Sequence, residues 1–227
     1  MRKIDSLHSW EVEPAEARLI QEQLRSQVVI CPLPTSIQSV AGIDVSYNRG
    51  SHILFAAVVV LAFPHLEIME ITTASLRIEF PYIPGLLSFR EGPVVLAAWE
   101  KLEYDPDVVI FDGHGLAHPR RFGLATHLGL ILDKPAIGCA KSRLIGTYAE
   151  PGQQRGDYSA LLDQKEIIGR VLRTRTNVKP VFVSIGHKAD LVGSQKLVLD
   201  CGRGLRLPEP TRQAHLAVNK LRWEYYK

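Results

Sequence analysis

The sequence predicts an α/β fold built on one mixed β-sheet flanked by helices, and three observations carry that prediction. Three β-rich runs, Val40–Tyr47, Ile53–Phe63 and Leu66–Ile78, follow one another closely. Their links, Asn48-Arg49-Gly50-Ser51 and Pro64-His65, are hairpin-sized and too short for a parallel crossover, so the strands are antiparallel neighbours. Beyond residue 90 the pattern changes to helical stretches alternating with short, continuously apolar runs, the kind buried in parallel sheets. The 46% hydrophobic content over 227 residues is enough to bury a real core and argues against disorder.

The elements follow in order. From Glu13 to about Val29, Ala17, Leu19, Ile20, Leu24 and Val28 recur at helical spacing. After the three antiparallel strands, Glu91–Tyr104 reads as a helix, Asp107–Phe111 as a buried strand, Arg121–Leu132 as a helix and Pro135–Ala140 as a short strand. Ile167–Arg175 and Pro180–Gly186 form a second hairpin around Thr176-Asn177-Val178-Lys179. Pro208-Glu-Pro-Thr-Arg opens a terminal helix through Tyr225, with Pro and Glu in the first turn, where a missing N–H and a negative charge are tolerated best. Gly and Pro punctuate the chain without clustering in a linker, and no repeat appears, so residues 1–227 are expected to form a single domain. Antiparallel strands followed by βαβ units make the ribonuclease H-like plan.

Composition narrows the function classes. Net charge is +3, from 27 Lys+Arg against 24 Asp+Glu, which permits a nucleic-acid partner without announcing one. Cys31, Cys139 and Cys201 lie far apart with no CxxC pair, which excludes a disulfide scaffold and a thiolate zinc knuckle and suits a reducing compartment. The opening MRKIDSLHSWEVEP has no apolar core of a signal peptide, and the longest apolar run, Ile53 to Phe63, is too short to span a bilayer as a helix. The expectation is a soluble cytoplasmic protein with no membrane partner, of a size and charge that suit a monomer.

Two aspartates stand where α/β sheets place ligands. Asp44 lies inside the first strand with Ile43 and Val45 on the opposite face, and Asp112 ends the apolar strand in Phe111-Asp-Gly-His-Gly. Either alone reads as an exposed strand residue or a turn cap. Together they are costly at a sheet centre unless a cation compensates them, and Mg²⁺ takes one or two carboxylates with water and phosphate oxygens. Glu91, after the loop Pro81–Arg90, is a candidate third ligand, although alone it reads as a first-turn acidic residue. Gly113 and Gly115 leave the backbone bare for a ligand. His114 and His118 have zinc spacing for a helix, but Gly115 and Pro119 oppose a helix there, so they are not a zinc pair. Lys141, just past a short strand, suits phosphate as a compact charge. The stiff Pro81-Tyr-Ile-Pro loop offers Tyr82 and Ile83 either for packing onto the domain, the common fate of such residues, or as a wedge for the gap left when a base leaves the stack. Arg170, Arg173, Arg175 and Lys179 on the second hairpin are candidates for a backbone groove, against the commoner reading of a solvated face.

These blocks together resemble endonuclease V, the deoxyinosine 3′ endonuclease family. The matching segments are Ala41-Gly-Ile-Asp-Val-Ser-Tyr, Pro81-Tyr-Ile-Pro-Gly-Leu-Leu-Ser-Phe-Arg-Glu, Phe111-Asp-Gly-His-Gly-Leu-Ala-His-Pro-Arg and Gly138-Cys-Ala-Lys-Ser-Arg-Leu. Val183-Ser-Ile-Gly-His-Lys and Pro210-Thr-Arg-Gln-Ala-His carry the match almost to the end of the chain. The resemblance implies a ribonuclease H-like fold and an enzyme that incises DNA at the second phosphodiester bond 3′ to deoxyinosine, with Mg²⁺ or, as substitute, Mn²⁺. It would leave 3′-hydroxyl and 5′-phosphate, on duplex or single-stranded DNA. By the same resemblance Asp44, Glu91 and Asp112 match the metal carboxylates, His118 the active-site histidine and Lys141 the lysine near the reacting phosphate. Pro81, Tyr82, Ile83 and Pro84 match the wedge, and Gly85, Leu87, Gly113, Gly138, Ala140 and Leu144 the hypoxanthine pocket. His215 falls where members carry His or Asp. The alternatives are an endoribonuclease of the same family acting on inosine in RNA, a generic structure-selective nuclease of this fold, and a non-catalytic nucleic-acid-binding domain.

Overall fold

The computed structural model describes Ile4 and residues 7–227; of the opening stretch, residues 1–3, 5 and 6 lie outside it. Its centre is an eight-stranded sheet in the order β3-β2-β1-β4-β5-β8-β7-β6. The strands are β1 (Ser39–Ser46), β2 (Ile53–Ala62), β3 (Ile68–Arg77), β4 (Val108–Phe111), β5 (Ala136–Ala140), β6 (Tyr158–Asp163), β7 (Glu166–Leu172) and β8 (Val181–Ile185). The β1–β4 and β4–β5 pairs are parallel and the remaining neighbours antiparallel, so the mixed sheet is as expected. The helices are α1 (Pro14–Leu24), α2 (Leu87–Trp99), α3 (Leu124–Ile131), α4 (Leu191–Asp200) and α5 (Glu209–Tyr225).

The period-2 pattern of β2 shows how the layers form. Leu54, Ala56, Val58 and Val60 join one core with Phe89, Val94 and Val95 of α2, while Phe55, Ala57, Val59 and Leu61 meet Ala214 and Val218 of α5. An antiparallel strand covered on both faces therefore reads as one apolar run, a pattern usual for parallel strands. The same parity turns Ile43 toward α2 and puts Gly42 beneath α5, where a β-carbon would stand 2.0 Å from the Pro210 carbonyl.

The structure differs from expectation in several places, among them the second hairpin, whose strands stop at Leu172 and resume at Val181, and α2, which ends at Trp99. The β2–β3 link is Phe63–Glu67, longer than Pro64-His65, because pairing stops at Ala62 and Ile68. Helix α2 begins at Leu87, so Leu87–Arg90 are helical and Glu91 lies past the first turn. Strand β6 was not predicted: it is a half-exposed edge strand joined to β7 by the tight Gln164-Lys165 turn. Helix α4 was also missed, since Gly193 and Ser194 weaken helical propensity; its readable signal is Asp190, whose side chain accepts from the Gly193 N–H at 2.8 Å. Among the described residues no helix is long and apolar enough to cross a membrane.

Candidate active site

The C-terminal ends of β1, β4 and β5 open into a cleft of about 410 Å³, closed on one side by the start of α2 and the loop before it. That volume lies within the roughly 300–1,000 Å³ of small-ligand sites. Asp44, Glu91, Asp112 and Lys141 all line it. The Asp112 N–H donates to the Ile43 carbonyl at 3.1 Å, extending the β1–β4 ladder by one rung, and this backbone bond holds the two aspartates on adjacent strand ends. Asp44 Oδ1 accepts from the Val45 N–H at 2.9 Å, and Oδ2 pairs with His215 Nδ1 at 2.7 Å. Lys141 Nζ pairs with Asp112 Oδ2.

Charge in the cleft is frustrated. Burial, then repulsion from Asp112, raises the Asp44 carboxyl above its ordinary value despite His215 and Lys141. Glu91 is buried and flanked by both aspartates; burial first, then Asp44 and Asp112, push its carboxyl up to about 8. An oxygen-only set of mutually repelling carboxyls, one of them buried, fits a hard divalent cation far better than it fits the protein alone. Among the described residues no three His, Cys, Asp or Glu side chains stand in ready metal-holding geometry, in keeping with Asp112 turned to Lys141 and Asp44 to His215.

The position of His215 depends on Gly42. With no β-carbon there, the first turn of α5 settles onto β1, and the next turn carries His215 to Asp44. Gly42→Ala is expected to displace α5, cost at least about 1–3 kcal/mol of stability as an overpacked contact, and weaken any activity that needs Asp44 in place; a denaturant melt checks it.

The far wall is the loop before α2. Tyr82, 62% exposed, stands at its tip with Ile83 and Pro84 facing the cleft. Gly85 has φ +82, a conformation glycine adopts freely, and its carbonyl accepts from Gln21 Nε2 at 3.1 Å, His118 Nε2 at 3.0 Å and Arg120 Nη2 at 2.7 Å. Burial lowers the His118 imidazole to about 4, so the ring is neutral. Its Nε2–H donates to Gly85 and its Nδ1 accepts from the Arg120 N–H at 3.2 Å. Both nitrogens are thus committed in the fold, one of them to the loop that carries Tyr82. Gly85, Leu87, Gly113, Ala140 and Leu144 line the cleft.

Other expected residues lie elsewhere. Pro81 faces a separate hollow with Trp10 and Phe80. Gly138 sits behind the cleft wall, where a β-carbon would meet the Gly113 carbonyl at 2.6 Å; its smallness lets the Asp112–Gly115 turn pack on β5. On the second hairpin Arg173 is buried, bonding the carbonyls of Gly152, Pro151 and Val178, and Arg170 bonds Gln195. Arg173 ties loops together, and Arg170 ties β7 to α4. His114 and His118 lie outside any helix, and His114 Nε2 bonds the Ser142 carbonyl at 2.9 Å. Gln21, Tyr47, Ser142 and Arg143 also line the cleft, and only folding brings them there.

A family model described as Endonuclease V matches residues 22–216. The chain belongs to the Endonuclease V family. As a member it is a nuclease, a hydrolase of nucleic-acid backbones. It is 52% identical over 219 residues to the Endonuclease V of Dehalococcoides mccartyi (strain CBDB1), covering 96% of this chain and 98% of the relative. Among solved structures, Endonuclease V of Streptomyces avermitilis superposes with TM-score 0.92 at 40% identity, covering 96% and 97% of the two chains. Endonuclease V of Ciona intestinalis, in complex with a 24-mer DNA containing an inosine followed by a ribo-adenosine, superposes with TM-score 0.81 at 30% identity, covering 93% and 98%. The fold is thus the family's ribonuclease H-like sheet.

Proposed function

We propose that this nuclease recognises deoxyinosine in DNA and hydrolyses the second phosphodiester bond on its 3′ side, leaving 3′-hydroxyl and 5′-phosphate, within a single catalytic domain. The observation that carries the reading is the meeting of Asp44, Asp112 and Glu91 in one cleft with the Tyr82 loop and the glycine-lined wall. Asp44, Asp112 and Glu91 would hold Mg²⁺, with Mn²⁺ as substitute, which when bound would acidify the attacking water and neutralise charge on the scissile phosphate and leaving oxygen. Lys141, released from Asp112, would bring its ammonium to the phosphate. His215 orients the Asp44 carboxylate, and His118, through Gly85, holds the wedge loop rigid.

Selectivity follows from hydrogen-bond polarity. Hypoxanthine presents O6 where adenine has an amine, so backbone N–H groups of the glycine-lined wall would donate to O6, whereas adenine would leave two donors facing each other. Weak pairing of the lesion also lowers the cost of flipping it. A specific reason keeps a second reading alive: the Ciona relative was captured on inosine followed by a ribonucleotide. An inosine-directed endoribonuclease uses the same carboxylates, and only contacts to the 2′-hydroxyl separate the two.

The test is a nicking assay on matched oligonucleotides carrying deoxyinosine, inosine in RNA or no lesion, each with Mg²⁺ or EDTA. A metal-dependent nick at the second bond 3′ to deoxyinosine is expected; cutting confined to RNA would transfer the enzyme to the second reading. Tyr82→Ala should weaken binding to lesion duplex about 10-fold more than to lesion single strand, because only the duplex needs its gap filled. Equal losses on both would count against a wedge.

A further inference from the structure

We propose that the exposed face of the C-terminal half of α5 is a docking track for the DNA strand on the 3′ side of the cut, with Trp223 as a stacking platform for a downstream base. The inference rests on the reading of Asp44, Asp112 and Glu91 as the cleavage centre. The sheet order β1-β4-β5 sets the direction. Ala140 and Leu144 lie on the β5 side of the cleft, Asp112 and Asp44 stand at the ends of β4 and β1, and α5 packs over β1 and β2. A strand with its lesion in the β5-side pocket and its scissile phosphate at the aspartates therefore leaves across β1, toward α5.

Helix α5 runs alongside β1 and past its end. Its contacts mark the course: Pro210 over Gly42, His215 on Asp44, Asn219 Oδ1 accepting from Ser46 Oγ at 3.0 Å, and Arg222 Nη1 donating to the Tyr47 carbonyl at 3.1 Å. His215, Asn219 and Trp223 follow at intervals of four along one ridge, and Asn219 Nδ2 touches the His215 ring at 3.2 Å. Eight residues at about 1.5 Å each put Trp223 about 12 Å beyond His215, the rise of about three stacked nucleotides at about 3.4 Å.

The last turns of α5 divide their aromatics sharply. Tyr225 and Tyr226 pack on Phe55 with ring centroids 5.1 and 5.9 Å away, and the Tyr226 hydroxyl meets Ser51 Oγ at 2.8 Å. These pins make the helix end a rigid platform. Trp223, between them and the active site, has no such packing and is 61% exposed. Lys227 Nζ lies 3.1 Å from the centroid of its ring, which places a cation beside an aromatic face, the pairing that single-strand binders use for bases and backbone. Lys220 is exposed on the same face, its contact with Glu224 stretched to 4.0 Å, and Arg222 adds positive charge toward the cleft.

The test measures binding in EDTA, by anisotropy, of deoxyinosine oligonucleotides that end either one or six nucleotides beyond the expected cut. Trp223→Ala is expected to weaken the long strand about 10-fold and leave the short one unchanged, with Trp223→Phe restoring most of the loss. In steady-state nicking the same variant should raise KM on the long substrate with kcat preserved. Equal losses at both lengths, or none at either, would overturn the track. Wild-type nicking in Mg²⁺ is scored separately: its failure would sink the cleavage reading, whereas the length dependence decides the role of Trp223.

Discussion

Asp112→Asn is expected to lower nicking of deoxyinosine DNA by at least about 10²–10³-fold while changing lesion binding only a few-fold. The asparagine keeps the shape of the side chain and the backbone bond to Ile43, so the strand ends and the glycine turn stay in place. It removes one negative charge from the cleft and with it the ion partner of Lys141. In the proposed reading lesion binding rests on the wall and the Tyr82 loop and not on the Asp112 charge. Single-turnover nicking at saturating Mg²⁺, with anisotropy in EDTA, separates the two effects. Full cleavage by the variant would remove Asp112 from the chemistry.

The second large effect concerns stability and has the opposite sign. Burial and the two aspartates push the Glu91 carboxyl up to about 8 in the fold, from an ordinary value of 4.5, so between those values the cation-free native state holds a proton that the unfolded chain has lost. Stability must then fall as pH rises through that window and level off above it. The largest possible cost is about 5 kcal/mol, from about 3.5 units at about 1.4 kcal/mol each. Glu91→Gln should therefore melt higher than wild type at pH 8 in EDTA, by about 5–10 °C for a chain of this size, and the two should converge near pH 5. Mg²⁺ should raise the wild-type melting temperature more than the variant's. The variant gains stability and loses nicking, as expected where function stores unfavourable charge. Parallel pH profiles in EDTA would show that the buried carboxyl carries no such cost.

The residues that the sequence made legible are those whose role is written in local pattern. Alternation and link length gave β1, β2 and β3 their antiparallel order, and the apolar Val-Val-Ile-Phe run gave β4 with Asp112 at its end. The family blocks brought the Tyr82 loop, the carboxylates and Lys141 into view before any geometry. What was lost is also local: β6 is short and half-exposed, and α4 begins on residues of poor helical propensity, so neither offers a strong period.

Other features exist only once distant segments meet. By resemblance His118 is the active-site histidine; in the fold it lines the cleft, burial holds its ring neutral, and its Nε2–H is committed to the Gly85 carbonyl. Gly138 reads as pocket lining and proves to be the floor on which the Asp112 turn rests. Arg173 reads as groove charge and proves to be a buried tie. The shift of Glu91 depends on two aspartates from other strands, and the reach of α5 from Asp44 to Trp223 depends on a missing β-carbon at Gly42. Hydrophobic period and chain stiffness act between near neighbours, so the sequence alone determined seven of the eight strands, the mixed character of the sheet and the identity of the acidic residues. Burial, repulsion and close packing act between residues far apart in the chain, so only the tertiary structure decided which of those side chains are charged, which are struts, and which face a ligand.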